Sequence, residues 1–282
     1  MKLLMASDLS ARSDVALQRA LSLAEQLNAE LTVLHVVDMD LPRGMQSLLK
    51  DNAREVLDEA VKSAETQRPV KVSVRIGDPF QTICETAAEL DVDLVVLGAY
   101  RREFLKDAFV GTTAERVMRI SRRPVLMVNR TSTEPYAKPM VAVDFSEMTA
   151  EVLKVAKKLG LPTAAEFSIV HAFLPFPSDR LTILAPGETV SPAQVAQCRQ
   201  EALGKLGAVI TTAGISMDPQ QLIVREGEAF KVIQQAVGQC QADLLVMGTS
   251  GQGGIKRMLI GSVAGRLLRD VESDMLVVPA PG

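Results

Sequence analysis

Between residues 248 and 268 the chain reads "GTSGQGGIKRMLIGSVAGRLL", with glycine at 248, 251, 253, 254 and 261 and a hydroxyl at Ser262. Glycine has no Cβ and tolerates positive φ, so backbone amides on such a loop can come close to a phosphate. Gly261, Ser262 and Val263 then open a helix, whose free amides and dipole favour an anion. One glycine at a strand-to-helix turn serves local geometry; this density with Gly-Ser at the helix start reads as a phosphate cradle. Lys256 and Arg257 lie inside the loop, either facing phosphate or forming solvated surface charge.

Bond-making chemistry finds little support. Only two histidines, His35 and His171, and three cysteines, Cys84, Cys198 and Cys240, occur, and no C-x-x-C pair is present. No metal cluster, disulfide framework or His-dependent triad is assembled from so few. No general base or arginine finger stands out, so catalytic residues are not assigned. His171, inside an apolar run, reads as a core histidine. Asp144, before Phe145 and Ser146, has two readings: a carboxylate accepting a ligand hydroxyl, or a cap for the next helix.

The elements that position these residues follow from a repeat. "LTVLHVVD" at 31–38 matches "FSIVHAFL" at 167–174, and "LLMASDLSARSDVAL" matches "PMVAVDFSEMTAEVL", an offset of 171 − 35 = 136 that brings Asp8 onto Asp144. "VRIGDPFQTICETAAELDVDLVVLG" at 74–98 matches "VREGEAFKVIQQAVGQCQADLLVMG" at 224–248, now offset by 150. The second half has therefore gained 150 − 136 = 14 residues, in or near the proline-bearing "LPFPSDRLTILAPGETVSP" at 174–192. Phe176, Leu181, Ile183 and Leu184 there either form a lid or partner contact, or belong to a variable loop packed on its own domain.

Each half alternates short apolar runs with amphipathic helical segments, the pattern of a parallel sheet covered on both faces. Strands are expected near 2–7, 31–37, 70–76, 93–97 and 124–129, then near 139–143, 166–172, 220–225, 243–247 and 275–279. First-half helices are expected near 13–28, 46–66, 79–90 and 111–121. The fold class is α/β, two repeated doubly wound domains, each a five-stranded parallel sheet with helices on both faces. The domains are 1–130 and 139–282, joined by the polar "TSTEPYAKP". Ligands of such sheets gather beyond the carboxyl ends of the strands, where Gly248 follows "DLLVM".

The loop "GTSGQGGIKRMLIGSV" resembles the G-x2-G-x9-G-[S/T] pattern of nucleotide-binding universal stress proteins at Gly248, Gly251, Gly261 and Ser262, and the layout is similar to the tandem members of that family. The resemblance implies an adenine-nucleotide-hydrolase-like fold that binds ATP, with Mg2+ as its companion. Carried over, it puts Asp144 near the ribose and Ala142 and Ala172 near the adenine. Met247 and Gly248 follow the fourth strand, Gly251 with Gly253 approaches phosphate, and Gly261, Ser262 and Val263 hold the phosphate chain. It further implies pairing of the two domains through their last strands, "RRPVLMV" and "SDMLVVP", and leaves a homodimer open. The function implied is that of a cytoplasmic ATP-binding stress-response protein acting as a regulatory or sensing module, at most a slow ATPase. The alternative is a nucleotide-independent scaffold.

The first half departs from the pattern. "GAYRREFLKDAFVGTTAERVM" keeps Gly98, Gly111 and Thr112, but Arg101 stands at the position of Gly251, Glu103 and Phe104 at those of Gly253 and Gly254, and Asp107 at that of Arg257. Side chains fill the space that close phosphate approach needs. The first domain is read as degenerate toward ATP and structural or regulatory; the other reading makes Arg101 and Arg102 a site for a different anion.

A formal charge of −3, shared evenly by the halves, gives no footprint for nucleic acid. No apolar run reaches the roughly 18–20 residues of a membrane span, and "MKLLMASDLS" meets an aspartate before a signal core forms. A cytoplasmic protein is expected.

Overall fold

A computed structural model describes residues 1–64, 66–99, 113–175, 191–249 and 260–280. They form two compact units. The first holds the described residues from Met1 to Pro135, with Ile260 and those from Glu272 on; the second holds those from Tyr136 to Thr249 and Gly261–Val271.

The first unit runs β1 (Lys2–Ser7), α1 (Ala11–Gln26), β2 (Glu30–Asp38), α2 (Arg43–Ser63), β3 (Val70–Gly77), α3 (Pro79–Glu89), β4 (Leu94–Gly98), α4 (Thr113–Ile120) and β5 (Val125–Val128). The second runs β6 (Pro139–Ala142), α5 (Met148–Lys158), β7 (Ser168–Phe173), α6 (Pro192–Ala213), β8 (Leu222–Glu226), α7 (Ala229–Cys240), β9 (Leu244–Gly248) and α8 (Ser262–Asp270). A last strand, β10 (Asp274–Val278), falls in the first unit. Strand order is β3-β2-β1-β4-β5-β10 in the first unit and β9-β6-β7-β8 in the second.

The repeat pairs are parallel: β1 lies between β2 and β4, and β6 between β7 and β9. Helices cover the sheets, α1 against β1 and β4, α2 and α3 against β2 and β3, α7 against β7. Strands covered on both faces read as unbroken apolar runs, and Leu94, Val95, Val96 and Leu97 of β4, like Leu244, Leu245, Val246 and Met247 of β9, are all buried. In both repeats the chain leaves its first strand in opposite directions on either side, so the carboxyl ends of β1 and β4, and of β6 and β9, frame a switch point.

One strand departs from the parallel expectation. β10 runs antiparallel to β5, with Met275 opposite Met127 and Val277 opposite Val125, so the sheet is mixed. That direction sets the start of β10 beside the end of β5. Asp274 Oδ1 there accepts the amides of Asn129 (2.8 Å) and Arg130 (2.9 Å). Behind it, Arg19 of α1 lies 3.5 Å from Asp274 Oδ2, both side chains almost fully buried. The same guanidinium donates to the carbonyls of Glu134 (2.6 Å) and Ser132. A buried arginine needs such a set of partners.

Candidate functional site

In both repeats the turn after the first strand is strained in the same way. Leu9 and Phe145 take φ of 59° and 60°, an uncommon conformation for residues with a side chain. The turn lets the preceding aspartate fold back on the hydroxyl residue two positions on. Asp144 Oδ1 accepts from Ser146 N at 3.0 Å and Ser146 Oγ at 2.6 Å. The cap position of α5, Glu147, makes no side-chain bond.

His171 fixes the end of β6 from the neighbouring strand. It is buried, its Nδ1 lies 2.9 Å from Val143 O, and its ring sits 4.1 Å from that of Phe145. Burial pushes its pKa below the usual histidine range, outweighing the bond to Val143 and the charge of Asp144. It is a neutral core histidine. Cys84, in the first unit, has its thiol pushed up to about 11 by burial and by Glu85, which removes it as a thiolate nucleophile at neutral pH.

Ala142, Asp144, Ala172, Met247, Gly248, Gly261, Ser262 and Val263 line one cavity of about 310 Å³. Gly251 and Gly253 lie outside the described residues, as do Gly254, Lys256 and Arg257. The ends of the glycine loop are clipped together by Gly261 N donating to Thr249 O at 2.6 Å, which brings the tip of β9 beside the start of α8. Gly261 caps α8 without a side-chain bond. Gly261, Ser262 and Val263, at the start of that helix, line the cavity. Gly248 is in close contact: a Cβ there would stand 3.2 Å from Met148 Cβ and Cε, so the Met148 side chain would have to give by a few tenths of an ångström.

The sequence reading missed the other wall. Met148, Thr149 and Val152 of α5, and Ala229 and Ile233 of α7, line the same cavity. Their signal was the 3–4 residue spacing on two helix faces, which reads equally as core. Thr149 carries more, since at the offset of 136 it matches Ser13 and a hydroxyl recurs in both repeats. Its Oγ1 is buried without a hydrogen-bond partner.

The first unit has a matching cavity of about 410 Å³, lined by Ala6, Asp8, Ser10, Arg12, Ser13, His35, Val36, Ile83, Gly98 and Thr113 among others. Gly111 and Thr112, and the replacing residues Arg101, Arg102, Glu103, Phe104 and Asp107, lie outside the described residues. Gly98 is held tighter than Gly248, because a Cβ there would meet Arg12 O at 2.9 Å. Asp8 is also engaged differently. Its Oδ1 accepts from Ser10 N at 3.0 Å and Ser13 Oγ at 2.5 Å, while Ser13 Oγ accepts from Asp8 N at 3.0 Å. Burial pushes the Asp8 pKa up, but the bonds from Ser10 and Ser13 with the Arg12 charge prevail and hold it below its usual value.

Paired cross-links repeat as well. Arg116 stacks over Phe80 at 4.4 Å and Arg266 over Phe230 at 3.7 Å. Arg266 also reaches Glu228, the residue before α7, at 2.6 Å, tying the start of α7 to α8. Among the described residues no group of His, Cys, Asp or Glu is placed to hold a metal, and no helix is long and apolar enough to cross a membrane.

Fold and cavities define a tandem α/β protein with a cavity at the switch point of each repeat. The chain belongs to the universal stress protein family, whose model matches residues 1–129 and 135–279. A universal stress protein of Mycobacterium tuberculosis is 27% identical over 293 residues, covering 96% of this chain and 94% of the relative. One from Methanocaldococcus jannaschii is 30% identical over 146 residues, covering 52% of this chain and 84% of its own. The crystal structure of a universal stress protein from Archaeoglobus fulgidus shares the fold, with a TM-score of 0.71, 20% identity, and coverage of 100% of this chain and 98% of that one.

Proposed function

We propose that the second-repeat cavity binds an adenine nucleotide, ATP with its magnesium, and that the chain acts as a nucleotide-dependent regulatory or sensing module in a stress response. The observation that carries the reading is the meeting of three features in one cavity: Asp144 at the tip of β6, Gly248 at the end of β9 where backbone is unscreened by a side chain, and the start of α8 at Gly261, which has no side-chain cap. Ala142 and Ala172 leave room for a planar base, and Asp144 can accept a sugar hydroxyl. The amides of Ser262 and Val263 suit phosphate oxygens. With no metal cluster among the described residues, magnesium would enter on the triphosphate.

Among the described residues that line the cavity, Asp144 carries the one carboxylate and no histidine is present, which supports binding over vigorous hydrolysis. The stress-response role rests on family membership, and a cytoplasmic setting on the charge and hydropathy of the sequence. Pairing of the repeats through their last strands belongs to the same proposal, supported by the antiparallel register of β5 and β10.

Calorimetric titration of the nucleotide-stripped chain with Mg-ATP tests the reading. One site is expected, with affinity falling at least about tenfold in Gly261→Val, where a branched side chain enters the start of α8. Two sites would give the first cavity the same ligand. No heat in the wild-type chain would favour a nucleotide-independent scaffold.

A further inference from the structure

Two hydroxyls stand at matching places in the repeats and have opposite fates. Ser13 Oγ is saturated, donating to Asp8 Oδ1 at 2.5 Å and accepting from Asp8 N at 3.0 Å. Thr149 is equally hidden, with 4% of its surface exposed; the residue is part of the cavity wall, and its Oγ1 is buried without a hydrogen bond. A buried hydroxyl without a partner destabilises a fold, and selection for packing alone would favour valine at this position, which differs only by the oxygen. Asp144, five residues earlier, faces the same cavity and takes its bonds from Ser146 instead.

We propose that Thr149 Oγ1 is a ligand contact, specific for a sugar hydroxyl of the nucleoside that enters beside Asp144. This rests on the nucleotide reading of the cavity and deepens it. A sugar hydroxyl is both donor and acceptor, so one group can donate to the Asp144 carboxylate and accept from Thr149, which gives the Thr149 hydroxyl its partner. An N–H alone or a carbonyl oxygen alone can serve only one of the two. The first repeat lacks this pair, because Ser13 is spent within its own turn.

The test uses the full chain, wild type, Thr149→Val and Thr149→Ser, titrated with Mg-ATP and with its 2′-deoxy and 3′-deoxy analogues. Thr149→Val is expected to lose about tenfold in ATP affinity, Thr149→Ser to retain it, and the loss to vanish for whichever deoxy analogue lacks the contacted hydroxyl. Thermal melting of the ligand-free proteins gives a second readout: Thr149→Val should melt no lower than wild type. Equal ATP affinities for wild type and Thr149→Val, a loss that persists undiminished with both analogues, or a lowered ligand-free melting point would each overturn the assignment. Absence of any nucleotide binding by the wild-type chain is a separate result, which overturns the nucleotide reading and removes the ribose as partner of Thr149.

Discussion

The two cavities are built on one frame and furnished differently. Ala6 and Ala142, Asp8 and Asp144, His35 and His171, Ile83 and Ile233, and Gly98 and Gly248 occupy equivalent places on equivalent elements. His35 even repeats the bond of His171, with its Nδ1 2.8 Å from Ser7 O. Around that frame Arg12 replaces Met148, Val36 replaces Ala172, and Ser13 closes on Asp8 where Thr149 stays open. The positions that hold are those where backbone passes close to backbone or a strand end is pinned. The positions that drift, Arg12 against Met148 and Val36 against Ala172, line the cavities as well, so the exchange alters the chemistry of the walls and leaves the frame in place.

The largest effect should come from a device present in one unit only. Val155 stands at the position of Arg19, so the buried ion pair with Asp274 has no copy in the second repeat. Asp274→Ala would strand the Arg19 charge and the amides of Asn129 and Arg130, at a cost of about 3–5 kcal/mol in urea denaturation. Arg19→Met should cost less, since Asp274 keeps its two amide donors. A small effect from both would mean that β10 is held chiefly by its apolar packing.

Next in size is a matched pair of glycine substitutions. Gly98→Ala sets a methyl 2.9 Å from Arg12 O and 3.3 Å from Ser13 N, both backbone atoms of α1. Gly248→Ala meets the side chain of Met148, which has rotatable bonds with which to yield. The first should lose roughly 2 kcal/mol and the second under about 1 kcal/mol, read from the same urea denaturation. Equal losses would show that the two strand ends are packed alike.

The smallest effect is a difference in acid sensitivity. His171 is held below the usual histidine range, so as pH falls through about 6.5 the unfolded chain takes up a proton that the folded chain refuses, and stability drops. Asp8 is held below its usual value, so its contribution is full above the ordinary carboxylate range and is lost only as pH falls through the lower folded value. Stability measured between pH 7.5 and 5 should therefore decline in the wild-type chain and decline less in His171→Gln. An identical slope in the variant would assign the decline to other groups.

The sequence by itself determined the repeat, the order of elements and, closely, their ends. The strand expected near 243–247 is β9 at Leu244–Gly248, and the helix expected near 79–90 is α3 at Pro79–Glu89. These follow from short-range causes: strands buried on both faces are unbroken apolar runs, and Asp78 caps α3 ahead of a proline at its start. The glycine spacing likewise pointed to the end of β9 and the start of α8, because only unhindered backbone can make that approach. Tertiary structure decided three things that no local pattern holds. An apolar run such as "DMLVV" reads the same in either direction, so the antiparallel course of β10 along β5 depends on its distant partner. Arg19 in an amphipathic helix reads as surface until Asp274 and the carbonyls of Ser132 and Glu134 close around it. Ser13 and Thr149 look interchangeable in sequence, since hydrogen-bond satisfaction is a property of neighbours in space; only the fold separates the hydroxyl already bonded within its own turn from the one buried without a partner.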